Sequence, residues 1–263
     1  MRYSLARRWP IIPCDLARRE SRHWLRFSML SIVIPTLNER ENVRRLIPEV
    51  FSVLEKNRME GEVIVSDDDS PDGTGQAVRE LGKLFPVRVL VRKGNRGLSA
   101  SVIDGWAIAE GDVVGVMDAD FSHPVEAIPR MASRFPECDM VVASRHVSGG
   151  GIEDWPLRRR VMSRAARLLA RGLTNLSDPM SGFFMVKRDC VDLGRLSPIG
   201  YKILLEVMVK CPPKRIVEVP IVFRNRLYGE SKLGGKVMWQ YLRHVFRLYR
   251  WSSIGARRTE PRT

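Results

Sequence analysis

From residue 30 onward, short apolar runs of strand length alternate with longer amphipathic segments, and most of the runs end in polar or acidic residues. Residues 30–35, 62–66, 87–91, 112–118 and 140–144 read as five buried strands. Helices are expected over residues 39–54, 74–84 and 99–109, with a further one starting near Pro124. Strands separated by helices of about ten or more residues point to an α/β fold: a largely parallel sheet covered by helices on both faces. In such sheets ligands collect beyond the carboxyl ends of the strands.

The residues that follow the strands are therefore the ones to read for chemistry. Strand one runs into Pro35-Thr36-Leu37-Asn38-Glu39 and strand two into Asp67-Asp68-Asp69-Ser70-Pro71-Asp72-Gly73-Thr74. Strand four runs into Asp118-Ala119-Asp120-Phe121-Ser122, and strand five into Ser144-Arg145. In extended backbone, residues i and i+2 face one side, so Asp118 and Asp120 present two carboxylates to one place. Two hard oxygen donors suit Mg²⁺ or Mn²⁺, with substrate phosphates filling the remaining positions, and Ser122 can add a weak oxygen ligand. The plainer alternative is a pair of solvated acids capping the next helix. The run from Ser70 to Thr74 is ordinary turn chemistry, which leaves Asp67 and Asp68 in need of another reason. A carboxylate there can accept hydrogen bonds from a ribose or a base. Further on, Arg226, Gly229 and Lys232 combine a planar fork, close backbone approach and a mobile ammonium, a phosphate loop or else a basic surface turn. Arg159 and Ser163, four apart on a helix expected from Pro156, face one side and make a second anion site or a solvated basic face.

Charge narrows the partners. The net charge is +14, and from Tyr201 to Thr263 there are 14 Lys and Arg against 4 Asp and Glu. Such an excess implies an anionic partner: phosphorylated ligand, acidic lipid or nucleic acid. Nucleic acid is the least favoured, because no binding motif for it is recognisable and the acids at the strand ends would repel a polyanion. A non-catalytic basic binding protein is the alternative of another class. No apolar run approaches the roughly 18 residues of a membrane-spanning helix. After Gly235, Val237, Met238, Tyr241, Leu242, Val245, Leu248 and Tyr249 recur at helical spacing, flanked by Lys236, Arg243, Arg247 and Arg250, with Trp239, Phe246 and Trp251 near the edges. This is the profile of a helix lying peripherally in a membrane surface, or of a core-packing helix with a basic outer face. The four cysteines have no paired spacing, which points to thiols in a reducing compartment. Residues 1–28 hold seven arginines and two acids without an apolar segment. They read as a disordered basic arm or a non-native start, followed by a catalytic domain over 29–234 and a basic amphipathic helix and tail over 235–263.

Taken in order, PTLNERENV, DDDSPDGT, MDADFSHP, SRHVSGGG, EDWPLRRRVMSR, DPMSGFFMVKR, GYKILLEVMVK and EVPIVFRNRLYGESKLGG resemble the dolichol-phosphate (polyprenol-phosphate) mannosyltransferases. These are inverting glycosyltransferases of the GT-A fold, a Rossmann-like, mostly parallel sheet. The resemblance extends from about residue 30 to residue 236. The run from Ser70 to Thr74, the GYK segment and RLYGESKLGG are specific to this branch. It implies that Pro35, Leu37, Glu39, Ser66 and Asp68 hold the nucleotide of GDP-mannose. It implies a metal and diphosphate site at Asp118, Ala119, Asp120 and Ser122, taking Mg²⁺ or Mn²⁺, and phosphate binding by Arg145, Arg226 and Lys232. Arg159 and Ser163, with Arg145, fall where the family holds the lipid phosphate, and Asp120, Arg145, Arg226 and Lys232 are the implied catalytic groups. The implied reaction is transfer of mannose to dolichyl or polyprenyl monophosphate, with inversion, at the cytoplasmic face of a membrane, with room for small membrane-anchoring subunits. Three positions depart from the pattern: Leu37 and His146 stand where tyrosine is common, and Ser66 replaces an aliphatic residue. Leu37 keeps open a related enzyme using UDP-glucose or another nucleotide sugar.

Overall fold

Both side-chain sets of the early strands are apolar, so the sheet they build must be covered twice. The computed structural model describes residues 11–12, 29–94, 96–153, 155–197, 201–224 and 235–258. Its strands are β1 (Ile11–Ile12), β2 (Leu30–Thr36), β3 (Gly61–Asp67), β4 (Val87–Val91), β5 (Val113–Val116), β6 (Met140–Ser144), β7 (Gly151–Ile152), β8 (Phe184–Lys187), β9 (Ile216–Pro220) and β10 (Val222–Phe223). Its α-helices are α1 (Arg40–Lys56), α2 (Thr74–Leu81), α3 (Leu98–Ala107), α4 (Ala127–Ala132), α5 (Leu157–Ala170), α6 (Ile203–Lys210) and α7 (Gly235–Arg258). All five expected strands form, and the main sheet runs β1-β9-β6-β8-β5-β2-β3-β4. Every pairing is parallel except those of β8, which lies antiparallel between β5 and β6. β7 and β10 make a separate parallel pair. Ile11–Ile12, inside the arm set apart in the sequence, pairs with Ile216–Val217 at the sheet edge.

Along β2, Ile32 and Ile34 pack with Leu46, Ile47 and Val50 of α1, while Val33 between them packs with Val102 and Trp106 of α3. Each such side chain, fully buried, contributes roughly 1.5–3 kcal/mol. Helix α3 approaches so closely that a Cβ on Gly105 would stand 2.6 Å from Val33 Cγ1. The chain lays down β2, β3 and β4 toward one edge, then returns to place β5 on the other side of β2. That reversal opens a crevice between the carboxyl ends of β2 and β5, where an open α/β sheet binds its ligand.

Of the two readings of the C-terminal stripe, core packing holds for part of it. Tyr241, Val245 and Leu248 are buried, in a cluster with Ala170 and Leu205, so this face of α7 packs against α5 and α6. The Tyr241 hydroxyl donates to the Ala166 carbonyl (2.6 Å) and that of Tyr249 to Leu169 (2.9 Å), fixing α7 along α5. Among the described residues of α7, the outward large apolar ones are Trp239, Leu242, Phe246 and Trp251. Those of α5 are Leu157, Val161, Leu168 and Leu169. Among the described residues no helix is long and apolar enough to cross a membrane.

Candidate active site

The turn after β2 and the acid run after β3 are one structure. Asp67, buried, accepts hydrogen bonds from Thr36 Oγ1 (2.8 Å), Ser70 N (2.9 Å) and Ser70 Oγ (2.6 Å). Asp72 accepts from Arg40 N (3.0 Å) and Thr74 N (2.9 Å), satisfying amide groups at the starts of α1 and α2. These two acids are therefore buttresses. Asp68 alone of the cluster lines the crevice. One of its oxygens meets Arg92 and the other accepts from Gly97 N at 2.8 Å, and Arg92 is itself held by Asp104 at 2.7 Å. A carboxylate has about four acceptor positions, so Asp68 keeps capacity for a ligand.

The crevice deepens into a cleft of about 430 Å³. Pro35, Leu37, Glu39, Asp68, Asp118, Ala119, Asp120, Arg145, Arg159 and Ser163 all line it. Ser66 and Ser122 do not. Ser66 is wholly buried beneath the floor, with no partner for its hydroxyl among the described residues. Ser122 sits behind Asp120, donating to its Oδ1 through the amide (3.1 Å) and the hydroxyl (2.5 Å). Both bonds depend on a sharp turn that puts Phe121 at φ 61°, a region that costs a bulky side chain on the order of 1–3 kcal/mol. Asp120 is thereby fixed and only 5% exposed, not the exposed strand-end acid the sequence suggests. Asp118 faces the cleft beside Gly182, where a Cβ would stand 2.8 Å from Oδ2. The two carboxylates and this cradle fit a divalent cation completed by ligand oxygens. No group of three or more His, Cys, Asp and Glu side chains able to hold a metal alone occurs among the described residues. His123 is neutral: burial pushes it down to about 4 against the pull of Asp120, and its Nδ1 accepts from Asp118 N at 3.4 Å.

At the far end of the cleft the arginines divide. Arg145 is clamped by Asp178 through Nε (2.6 Å), Nη2 (2.7 Å) and its backbone N–H (3.0 Å). Burial pushes Asp178 up, but the hydrogen bonds and charge of Arg145 outweigh it and hold the carboxyl below its ordinary value. Glu218 in turn accepts from the backbone amides of Ser177 (2.9 Å) and Asp178 (3.1 Å). Arg159 stacks 4.0 Å over the Trp155 ring, which also lies 5.4 Å from the Arg145 guanidinium. Arg226 and Lys232 lie outside the described residues. His146 lines a separate polar cavity with Arg167 and Arg171.

Sequence reasoning missed Asp178, Trp155 and Lys202 as site residues. Each lies in a segment that carries the family resemblance, but an acid in a loop, an aromatic before a helix and a lysine at a helix start have no periodic or spacing signature of their own.

The family model of glycosyl transferase family 2 matches residues 31–194, which contain the whole Asp118–Asp120 edge of the cleft. The chain belongs to that family. Among relatives of this family 2 glycosyltransferase, a dolichol-phosphate mannosyltransferase of Saccharomyces cerevisiae is 38% identical over 83% of the chain and 86% of the yeast protein. A dolichol-phosphate mannosyltransferase of Pyrococcus furiosus is 42% identical over 84% of the chain, which spans 64% of that protein. An undecaprenyl-phosphate mannosyltransferase of Micrococcus luteus is 36% identical over 86% of the chain and 97% of its own length. The GT-A fold is shared at greater distance. Glucosyl-3-phosphoglycerate synthase from Mycobacterium tuberculosis, solved with Mn²⁺, UDP-glucose and phosphoglyceric acid, superposes with a TM-score of 0.63 at 19% identity, over 83% of this chain and 80% of that one.

Proposed function

We propose that this glycosyltransferase moves mannose from GDP-mannose to the phosphate of a dolichyl or polyprenyl monophosphate, with inversion, using a divalent cation. The observation that carries the reading is one cleft with two unlike ends. Asp118 and Asp120 stand at the crevice between β2 and β5, and Arg159 with Ser163 stands where the cleft meets α5 and α7. The first end suits a nucleoside diphosphate sugar and the second a phosphate monoester. The names of the relatives and the Mn²⁺ and nucleotide sugar in the Mycobacterium tuberculosis enzyme support this assignment.

A phosphate monoester has its second pKa near about 6, so at neutral pH the acceptor is already a nucleophile and no protein base is required. An acceptor oxygen forms a bond to the anomeric carbon from the face opposite the diphosphate, whose bond to that carbon breaks and takes the electron pair. Asp118 and Asp120 would hold a divalent cation, which would supply charge stabilisation for the departing diphosphate. The chain's own residues supply alignment. Asp68 and Glu39 receive the nucleotide side, Arg159 and Ser163 orient the acceptor, and Arg226 and Lys232 add positive charge to the diphosphate. Trp239, Leu242 and Phe246 on α7, with Leu157 and Val161 on α5, leave apolar residues facing outward, and arginines interleave them. A peripheral seat on the cytoplasmic face of a membrane accounts for that surface and for the acceptor's route into the cleft.

The test is transfer of radiolabel from GDP-mannose and, separately, from UDP-glucose to a polyprenyl phosphate, with and without chelator. Chelator-sensitive labelling from GDP-mannose is the expected result. Labelling from UDP-glucose alone would replace the donor, and labelling unaffected by chelator would remove the metal.

A further inference from the structure

Lys202 has no role in the mechanism above, yet it reaches the floor of the same cleft. It is the residue at the start of α6, with φ −125° and ψ 60°. Its Nζ donates to the Met180 carbonyl at 3.0 Å. Met180 belongs to the stretch between α5 and β8 that also supplies Asp178, which clamps Arg145, and Gly182, which borders Asp118. The ammonium is thus fixed to the segment that sets both ends of the cleft.

Lys202 lines the cleft together with Asp118, Arg145 and Arg159. Burial lowers it to about 8, Arg145 and Arg159 push the same way, and Asp118 and Asp178 pull back. Met180 stands two residues from Asp178, which clamps Arg145, and two from Gly182, which borders Asp118, so Lys202, tied to its carbonyl, stands in the seam between the two ends. Those four neighbours are two cations and two anions, and among the described residues no carboxylate forms an ion pair with the ammonium as Asp178 does with Arg145. Arg145 is answered by a carboxylate at 2.6 Å; the hydrogen-bond partner of Lys202 is a neutral carbonyl. An ammonium has three N–H donors, and a lysine kept there only to brace the carbonyl would carry a desolvation cost that a neutral donor avoids. The arrangement is favourable once anions arrive.

Two anions must arrive together. The donor diphosphate and the acceptor phosphate have to approach until an oxygen of one can replace an oxygen of the other at the same carbon, and they repel each other throughout. We propose that Lys202 is the shared counter-charge of the reaction, its ammonium bridging the attacking phosphate and the departing diphosphate. The inference rests on the functional reading above. In the step itself the acceptor oxygen–carbon bond forms and the carbon–diphosphate bond breaks with its electron pair. Lys202 keeps its proton throughout, since neither phosphate needs one.

The test compares K202Q and K202R with the wild-type full chain. Glutamine removes the charge but keeps an N–H donor for the Met180 carbonyl, and arginine restores a cation. GDP affinity is measured by calorimetry without acceptor, and initial rates over a matrix of GDP-mannose and geranylgeranyl phosphate concentrations. For K202Q the expected result is GDP affinity within threefold of wild type and kcat/KM for the acceptor lowered about 100-fold, the scale of a lost transition-state donor. K202R should recover at least tenfold of that loss. Retention of acceptor kcat/KM within threefold in K202Q would overturn the proposal. So would equal impairment of K202Q and K202R, which would make the lysine a brace for the Met180 loop. A wild-type chain that transfers no mannose sinks the functional reading itself, whereas an active wild type with an unaffected K202Q sinks only the role of Lys202.

Discussion

Removing Asp178 should unfold the cleft's arginine end before it alters any other part of the molecule. Its side chain is 0% exposed and that of its partner Arg145 8%. Two charge-assisted side-chain bonds, at 2.6 and 2.7 Å, are each worth about 1.5–3 kcal/mol net. Their sum agrees with the roughly 3–5 kcal/mol lost when one member of a buried ion pair is deleted and the other stays charged. Asp178→Ala should therefore cost about 4 kcal/mol, and for a chain of this size about 2–4 °C per kcal/mol gives a Tm lower by roughly 8–16 °C. Arg145→Met should cost less, because burial then pushes the orphaned carboxyl up until it takes a proton. The double variant should recover about 2 kcal/mol or more relative to Asp178→Ala, since an apolar pair of similar volume replaces the ions. Urea unfolding of all four proteins at pH 7 measures this as a double-mutant cycle. The sign with pH follows from the folded value lying below 3.8. The stability from Asp178 is complete above its unfolded pKa and lost as pH falls from about 4 through the lower folded value, so wild type and Asp178→Asn should converge in acid. A coupling energy below about 1 kcal/mol would refute the reasoning, because the pair would then add nothing beyond its packing.

Three further outcomes are expected. Asp120→Asn preserves shape and the Ser122 contacts, so Tm should hold within a few degrees while turnover falls about 100- to 1000-fold; Mn²⁺-dependent GDP-mannose binding unchanged by calorimetry would remove Asp120 from the metal site. Arg159→Ala should raise the acceptor KM with donor affinity nearly unchanged, and Arg226→Ala should do the reverse; donor loss in the first variant would mean the anion sites are exchanged. Trp239→Ala with Phe246→Ala, at positions 69% and 64% exposed, should weaken binding to anionic vesicles several-fold without lowering Tm, and binding should fall with salt; equal vesicle sedimentation of variant and wild type would move the membrane-facing surface elsewhere.

The alternation of apolar runs and amphipathic segments was enough to place β2, β3, β4, β5 and β6 and the helices between them, because period and length are local properties. Asp118 and Asp120 were legible as an acidic pair following a strand, but β5 ends at Val116, so the turn through Phe121 and the Ser122 bonds, not strand alternation, set Asp120 in the cleft. Other assignments needed the third dimension. β8 was not among the strands expected from the sequence, and only the structure shows it running antiparallel between β5 and β6. In the acid run after β3, composition cannot separate Asp67 and Asp72, which hold backbone amides, from Asp68, which reaches the cleft. The spacing of α7 revealed an apolar stripe but not which neighbours cover it; packing on α5 and α6 buries Tyr241, Val245 and Leu248 and turns Trp239 and Phe246 outward. Arg145 and Lys202 are equally cationic in the sequence. Only the fold gives one a carboxylate and the other a carbonyl, because a partner's identity depends on contacts between residues 22 to 33 positions apart.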